Sequence, residues 1–188
     1  MIAFDTVPGF TENWFPQQSR EVLADLVRAV VEVDGLIVEI GSWEGRSTVA
    51  MANAAHPRSV KAIDTWEGSP GEISADLAAR RDVFARFHAN INHYTRGNVD
   101  VYRMGWRQWM DRWDLFPEVR FALVFIDAEH TYTEVRDNIK AVLPLMSPGG
   151  IVCGDDQHHP PIRQALDEIF GLDTLETAAT LWIYRVPT

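Results

Sequence analysis

Four short apolar runs that each end on an acidic residue constrain the fold of this chain more than any other feature. Their β-branched residues and flanking turn residues are typical of buried strands in a parallel sheet. Open α/β sheets bind ligands where the carboxyl ends of their strands meet, so these acids are expected at one edge of the sheet. Carboxylates gathered there repel one another unless a hydroxyl-rich or positively charged ligand, or a cation, binds between them. The five acids are Glu39, Asp64, Asp127, Asp155 and Asp156.

The spacing of apolar residues predicts the elements between and around these runs. Strands are expected at residues 36–40, 60–64, 99–103, 121–127, 151–154, 173–177 and 181–186. Helices are expected at residues 20–33, 46–55, 75–92, 131–146 and 162–170, with a short one after Gly105. The last two strands are joined too tightly for a helical crossover and must pair antiparallel. These elements predict a three-layer α/β sandwich, organised as one domain over residues 1–188 with residues 1–34 as an N-terminal cap.

Composition limits the partners and the compartment that are expected for the chain. The net charge is −10, which argues against a nucleic-acid or anionic-membrane partner because phosphate contacts need clustered Lys and Arg. We find neither a run of the ~20 apolar residues that a membrane helix needs nor an N-terminal signal-peptide pattern. Cys153 is the single cysteine, so an intrachain disulfide is impossible and a cytoplasmic location is expected.

A glycine-containing turn, residues 39–45 (EIGSWEG), joins the first predicted strand to the next helix. Gly41 permits a tight bend, and Gly45 permits a close approach between the helix and a ligand. Free N–H groups at the helix start suit a carboxylate or phosphate, and Asp64 at the end of the next strand suits both hydroxyls of a ribose. Glu39 would repel a pyrophosphate but could hold an ammonium group. The turn therefore favours a ligand that joins an amino acid to a nucleoside.

On these residues the chain resembles the class I S-adenosylmethionine-dependent methyltransferases. Their first motif, acid-x-Gly-x-x-x-Gly, matches residues 39–45, and their second motif acid matches Asp64. The resemblance implies a Rossmann-like, mostly parallel seven-stranded sheet with an antiparallel last strand, in the order 3-2-1-4-5-7-6. The alternative is a Rossmann-like domain for another nucleotide, such as a dehydrogenase. The implied cofactor-binding residues are Glu39, Gly41, Ser42, Trp43, Gly45, Ser47, Asp64, Thr65, Gly105, Trp106 and Asp127.

A second group of acids remains once the methyl donor has its partners. Asp127, Asp155 and Asp156 end neighbouring predicted strands, and three oxygen donors with open positions suit Mg²⁺, with Mn²⁺ as a second fit. Such an ion would bind a substrate hydroxyl and lower its pKa. The alternative is that Asp155 caps the following turn while Asp156 faces water.

Three segments resemble one branch of this family: residues 125–132 (FIDAEHTY), 145–150 (LMSPGG) and 154–156 (GDD). The branch includes metal-dependent sugar O-methyltransferases of macrolide and aminocoumarin pathways and the cephalosporin hydroxylase-like proteins. It implies that the three aspartates bind Mg²⁺ and that His130 is a candidate general base. Glu129, beside it in the sequence, is a second candidate base. Catechol O-methyltransferases carry lysine where this chain has His130, which favours a sugar or other aliphatic diol over a catechol. The alternative for His130 is a hydrogen-bonding role at the start of the next helix.

The sequence therefore predicts an S-adenosylmethionine- and Mg²⁺-dependent O-methyltransferase that acts on a hydroxyl, favouring a vicinal diol, of a small natural product or sugar. The alternatives are a metal-independent small-molecule methyltransferase and a catalytically silent protein that binds the cofactor. The acceptor pocket is expected between the aromatic N-terminal segment and residues 68–74. A lid supplied by a second subunit, and hence a homo-oligomer, is consistent with the short chain.

Overall fold

A computed structural model describes residues 7–112 and 118–188 of the chain. The helices are α1 (Gln17–Ala29), α2 (Arg46–Ala55), α3 (Ile73–Ala78), α4 (Val83–Tyr94), α5 (Trp106–Met110), α6 (Tyr132–Val142) and α7 (Pro160–Phe170). The strands are β1 (Leu36–Ile40), β2 (Val60–Asp64), β3 (Val99–Arg103), β4 (Phe121–Ile126), β5 (Met146–Gly154), β6 (Glu176–Ala178) and β7 (Leu181–Arg185). In the part of the chain described, no helix combines the length and apolar character needed to cross a bilayer.

The strands form one seven-stranded sheet in the order β3-β2-β1-β4-β5-β7-β6, which confirms the predicted fold class. Strands β1 to β5 are parallel, and β7 runs antiparallel to both of its neighbours. Ile40 pairs with Ile126, and Ile126 pairs with Gly154, so the ends of β1, β4 and β5 are level. This register brings the acids that follow β4 and β5 to the same edge of the sheet.

The core lies on both faces of the sheet, between two helical layers. All six residues of β4 are buried, as expected of a central strand that is apolar on both faces. Helices α1 and α2 contribute to the core on one face, and α6 and α7 to the core on the other. Trp109 and Cys153 are fully buried in this core.

Several predicted boundaries are wrong, among them those of the helices expected at residues 20–33 and 131–146, which are Gln17–Ala29 and Tyr132–Val142. Three further differences have a local reason. The helix expected at residues 75–92 is two helices, because the Asp82 side chain accepts the N–H of Ala85 at 2.8 Å and starts α4 as an N-cap. Strand β5 begins at Met146, since residues 148–150 are accommodated by a register shift against β4. A 3₁₀ turn at Leu172–Thr174 delays β6, which was expected from residue 173.

Candidate active site

A cleft of about 550 Å³ opens at the carboxyl ends of the parallel strands. Such a position is where open α/β sheets bind their ligands. Most of the predicted site residues line this cleft. Those that line it are Gly41, Trp43, Asp64, Thr65, Gly105, Trp106, Asp127, Glu129, His130, Asp155 and Asp156.

One side of the cleft is formed by residues 41–45, here called the donor turn. The Oδ2 atom of Asp64 accepts the backbone N–H groups of Ser42 and Trp43, both at 2.8 Å. Its Oδ1 atom accepts the N–H of Trp66 at 2.7 Å. Asp64 therefore holds the donor turn in place while it lines the cleft.

Gly41 connects the donor turn to the opposite side of the cleft. Its φ of 89° is in the left-handed region, and a Cβ there would lie 2.0 Å from the carbonyl oxygen of Asp127. Only glycine fits this contact. The donor turn is therefore packed directly on the residue that ends β4.

Glu39 lies beneath the donor turn, fully buried, and does not line the cleft. Its carboxylate accepts hydrogen bonds from the hydroxyls of Ser42 at 2.7 Å, Ser47 at 2.5 Å and Thr48. Burial raises the pKa of Glu39 to about 7 despite these three donors. Gly45 is also turned away from the cleft, since a Cβ there would meet the ring of Phe87 at 3.0 Å. This geometry assigns Glu39 to the support of the turn.

The N-terminal segment, residues 7–16, covers the outer side of the donor turn. The backbone N–H of Thr11 donates to Glu44 at 2.7 Å, and Glu12 accepts hydrogen bonds from Trp43 Nε1 and from Arg81. A second cavity of about 60 Å³ lies between this segment and the turn. Trp14 lines both cavities. The residues of the small cavity that were predicted for the site are Gly41, Ser42, Trp43, Ser47 and Asp127.

The other side of the cleft holds Asp127, His130 and Asp156, here called the acid–histidine cluster. One ligand-type atom of each lies within 4.8 Å of the others. His130 Nε2 is 3.1 Å from Asp156 Oδ2 and 3.7 Å from Asp127 Oδ1, without hydrogen-bond alignment to either. Asp127, and next Asp156, raise the pKa of His130 to about 11.

Asp155 lies beside the cluster but not among its converging atoms. Its side chain is buried, and Oδ1 has no hydrogen-bond partner among the described residues. Burial and the neighbouring Asp127 raise its pKa to about 7, and burial likewise raises the pKa of Asp127. The pKa of Asp156 is lowered because His130 pairs with it. The donor set of carboxylate oxygens and one imidazole nitrogen, next to an orphaned buried oxygen, fits a divalent cation.

Two acids of the cleft were not predicted from the sequence. Glu72, in the loop after β2, contacts both the ring and the backbone N–H of His130. Glu134, on α6, accepts the indole N–H of Trp106 at 2.9 Å. The expected placement of residues 68–74 near the acceptor was the only sequence signal for Glu72. Glu129, the second predicted base, lines the cleft and accepts the Thr131 hydroxyl at 3.1 Å.

Comparison with known families identifies the class of protein that this fold and site define. Residues 38–157, more than half of the chain, match the family described as "Methyltransferase domain". The matched segment contains the donor turn, Asp64 and the acid–histidine cluster. The chain therefore belongs to this methyltransferase family, which confirms the resemblance drawn from the motifs.

Individual relatives are sugar-modifying enzymes or proteins of the same fold. The chain is 28% identical over 158 residues to 8-demethyl-8-(2,3-dimethoxy-alpha-L-rhamnosyl)-tetracenomycin-C 4'-O-methyltransferase of Streptomyces olivaceus, covering 74% of this chain and 59% of that protein. It therefore spans less than two thirds of that relative's length. Among solved structures, the O-methyltransferase NovP superposes with a TM-score of 0.68 at 22% identity, over 91% of this chain and 80% of that one. CalS11, a TDP-rhamnose 3'-O-methyltransferase, gives 0.64 at 20% identity, over 88% and 77%.

Proposed function

We propose that this chain is an S-adenosylmethionine-dependent O-methyltransferase that methylates a hydroxyl of a sugar or another small hydroxylated natural product, and that it uses a divalent cation, Mg²⁺ or Mn²⁺, at the acid–histidine cluster. The observation that carries this proposal is a juxtaposition within one cleft. A preformed donor turn with Asp64 lies on one side, and the acid–histidine cluster lies on the other.

The donor side provides the contacts that the methyl donor requires. A carboxylate has about four lone-pair sites, and the backbone N–H groups of the turn and of Trp66 use three of those of Asp64. One site therefore remains for a ribose hydroxyl. Ile63, Met104 and Trp106 also line the cleft and offer apolar surface for the adenine ring.

The acceptor side provides a place where a hydroxyl can be held and activated. Asp127, Asp156 and His130 Nε2, once deprotonated, would hold the cation, which would supply Lewis-acid chemistry that lowers the pKa of a bound hydroxyl. The proton of that hydroxyl would pass to Glu129, which lines the same cleft. Asp155 adds buried negative charge beside it. Because Gly41 packs on the Asp127 carbonyl, the donor turn and the cluster are kept at a fixed separation. Fixed positions of donor and acceptor are a large part of the rate enhancement in a two-substrate reaction.

The relatives support a sugar as the acceptor. The Streptomyces olivaceus enzyme is named for 4'-O-methylation of a rhamnosyl tetracenomycin, and CalS11 is named for the 3'-hydroxyl of TDP-rhamnose. The cleft is lined by the polar residues of the cluster and also by apolar ones, such as Trp14 and Ile73. A sugar that carries an apolar aglycone matches both surfaces, and neighbouring sugar hydroxyls would supply the predicted diol.

A metal-independent methyltransferase is the second candidate, and one observation favours it. A protonated His130 already pairs with Asp156 and faces Asp127, so the cluster is partly neutralised by the chain's own cation. In that case the cluster would position the acceptor hydroxyl by hydrogen bonds alone. The two candidates differ in whether turnover needs a divalent ion.

Methyl transfer from a labelled donor to a panel of rhamnosyl acceptors tests the proposal. The protein is first freed of divalent ions with EDTA and then assayed with and without added Mg²⁺ or Mn²⁺. The proposal predicts product only after an ion is restored, whereas equal turnover in EDTA would establish the metal-independent candidate. Donor binding by calorimetry without transfer to any acceptor would leave the silent cofactor-binding protein. Asp25→Asn, a change at a side chain that is 77% exposed on α1, is the control for loss of an acid elsewhere.

A further inference from the structure

The side chain of Glu72, in the loop that follows β2, contacts His130, which lies in the loop that follows β4. Its Oε1 atom accepts the backbone N–H of His130 at 3.1 Å and lies 3.1 Å from the ring Nδ1. Its Oε2 atom lies 3.1 Å from the same ring nitrogen. One carboxylate thus engages both polar groups on the Nδ1 side of this residue.

The loop that carries Glu72 is built to hold it in place. Ser69 N–H donates to the Ser74 hydroxyl at 2.9 Å, and Glu72 N–H donates to the Ser69 carbonyl at 3.0 Å. The Glu72 carbonyl accepts the N–H of Ala75 at 3.2 Å, and Glu72 is the residue from which α3 starts. Gly68 packs against the backbone of this helix start, where a Cβ would lie 2.4 Å from the Ala75 nitrogen. Hydrogen bonds within the loop therefore hold the Glu72 carboxylate in position.

The opposite nitrogen of the His130 ring faces a different environment. Nε2 points to Asp156 at 3.1 Å and Asp127 at 3.7 Å, and it has no aligned hydrogen bond among the described residues. An imidazole ring can rotate by half a turn about its bond to Cβ, which would exchange nitrogens for carbons at both sides. The Glu72 carboxylate at Nδ1 and the carboxylates near Nε2 together favour the present ring orientation over the flipped one. Histidines that serve as metal ligands or bases depend on such an acceptor, because the hydrogen bond of one ring nitrogen decides the role of the other.

We propose that Glu72 is a positioning residue of the active site: it accepts the Nδ1–H of His130 and thereby directs Nε2 into the acid–histidine cluster. This inference rests on the proposed function for what Nε2 then does, but the hydrogen bond itself is independent of it. The loop between β2 and α3 thus contributes to the reaction through His130, in addition to forming a wall of the acceptor pocket.

Three variants of the full chain separate this role from a purely electrostatic or structural one. Glu72→Ala removes the acceptor, whereas Glu72→Gln removes the charge but keeps an oxygen that can accept from Nδ1–H and from the backbone N–H. Glu67→Ala removes an exposed acid of the same loop. Mn²⁺ affinity is measured by electron paramagnetic resonance, and the ring nitrogens of His130 are observed by long-range ¹H–¹⁵N correlation, with assignment from His130→Gln.

Glu72→Ala is expected to weaken Mn²⁺ binding by about 10–100-fold, the usual effect of losing the partner of a ligating histidine. Its His130 ring resonances should also change, while Glu72→Gln and Glu67→Ala should stay close to the parent protein in both measurements. Unchanged affinity and ring resonances in Glu72→Ala would overturn the inference. So would a Glu72→Gln variant as impaired as Glu72→Ala, because charge and not the hydrogen bond would then be responsible.

The failure of the proposed metal site would be recognised separately. If the parent protein binds no Mn²⁺, that part of the proposed function is lost, and the ring resonances alone decide the role of Glu72. A change in Glu72→Ala that Glu72→Gln reverses would then support the positioning role. Identical resonances in all variants would exclude it.

Discussion

The two sides of the cleft differ in how many hydrogen-bond donors their carboxylates receive from the protein. On the donor side, Glu39 accepts from three hydroxyls and Asp64 from three backbone N–H groups. In the acid–histidine cluster, two carboxylates share one histidine, and the adjoining Asp155 has a buried oxygen with no partner among the described residues. The carboxylates of the donor side are therefore almost fully hydrogen-bonded within the protein, with one site of Asp64 left over, whereas the carboxylates of the cluster have too few donors.

This difference indicates a division of labour between the two sides. Carboxylates that are saturated with N–H and O–H donors fix the shape of a turn and need no ligand to be stable. Carboxylates held together with too few donors raise one another's pKa, and such groups concentrate at functional sites. We therefore expect the donor side to act as a scaffold and the cluster to act as the reactive part of the cleft.

The largest effect is expected from Asp156→Asn. The variant loses a ligand of the proposed cation, so several kcal/mol of transition-state stabilisation should be lost, which lowers the rate of methyl transfer on the order of 10³-fold. Donor affinity, measured by calorimetry, should stay close to that of the parent protein because Asp156 makes no contact with the donor turn. A comparable loss of donor affinity would show that the two sides are not separate.

Glu39 makes the stability of the donor side depend on pH. Its folded-state pKa of about 7 is above the value of 4.5 for an exposed glutamate, so the folded chain holds a proton that the unfolded chain has released. This contribution to the free energy of unfolding is present below pH 4.5 and lost as the pH rises to about 7, by up to about 3 kcal/mol. Urea unfolding of the parent protein and of Glu39→Gln at several pH values measures the contribution of Glu39 to the free energy of unfolding. Parallel stability curves for the two proteins would contradict this assignment.

Asp64→Asn tests the donor turn directly. In the parent protein the two carboxylate oxygens of Asp64 accept three backbone N–H groups. The amide of asparagine has a single oxygen, which accepts at most two of them, so at least one N–H group is left unpaired. We expect the free energy of unfolding to fall by about 2 kcal/mol and donor affinity to fall with it. Chemical denaturation and calorimetry measure both. Mn²⁺ binding serves as the control, since the cluster should be unaffected. A weakened ion site in this variant would show that the two sides of the cleft are coupled.

Asp155→Asn is expected to have the smallest effect, and it should raise the free energy of unfolding where the other variants lower stability or activity. It removes a buried charge that Asp127 repels, so the protein without divalent ions should become more stable by about 1 kcal/mol. Thermal unfolding in EDTA should show this gain, and the further stabilisation by Mg²⁺ should be smaller than in the parent protein. A variant that is less stable in EDTA would mean that the Asp155 carboxylate has a partner that stabilises it.

The strands and their order were predictable because they depend on local patterns. Apolar runs such as residues 121–126 are buried on both faces, and the short connection before β7 forces antiparallel pairing. The break between α3 and α4 was missed because an N-cap aspartate interrupts an otherwise continuous apolar stripe. The shift at residues 148–150 depends on pairing with β4, which no local pattern reports.

The sequence allowed a prediction of which residues come together in the site. It did not allow a prediction of their hydrogen bonds and pKa values. The level strand ends bring Asp127 and Asp156 together, as the motifs imply. The burial of Glu39, the high pKa of His130 and the contact from Glu72 all arise between segments distant in sequence. Long-range electrostatics and hydrogen bonds of this kind leave no periodic signature in the sequence.

Anomalous diffraction from crystals grown with Mn²⁺ and S-adenosylhomocysteine tests the central claim most directly. We expect one Mn²⁺ peak bound by Asp127 and Asp156 with His130 Nε2 directed at it, and the product nucleoside on Asp64 in the same cleft. A product bound at the donor turn with no peak at the acid–histidine cluster would contradict the proposed cation-assisted methyl transfer.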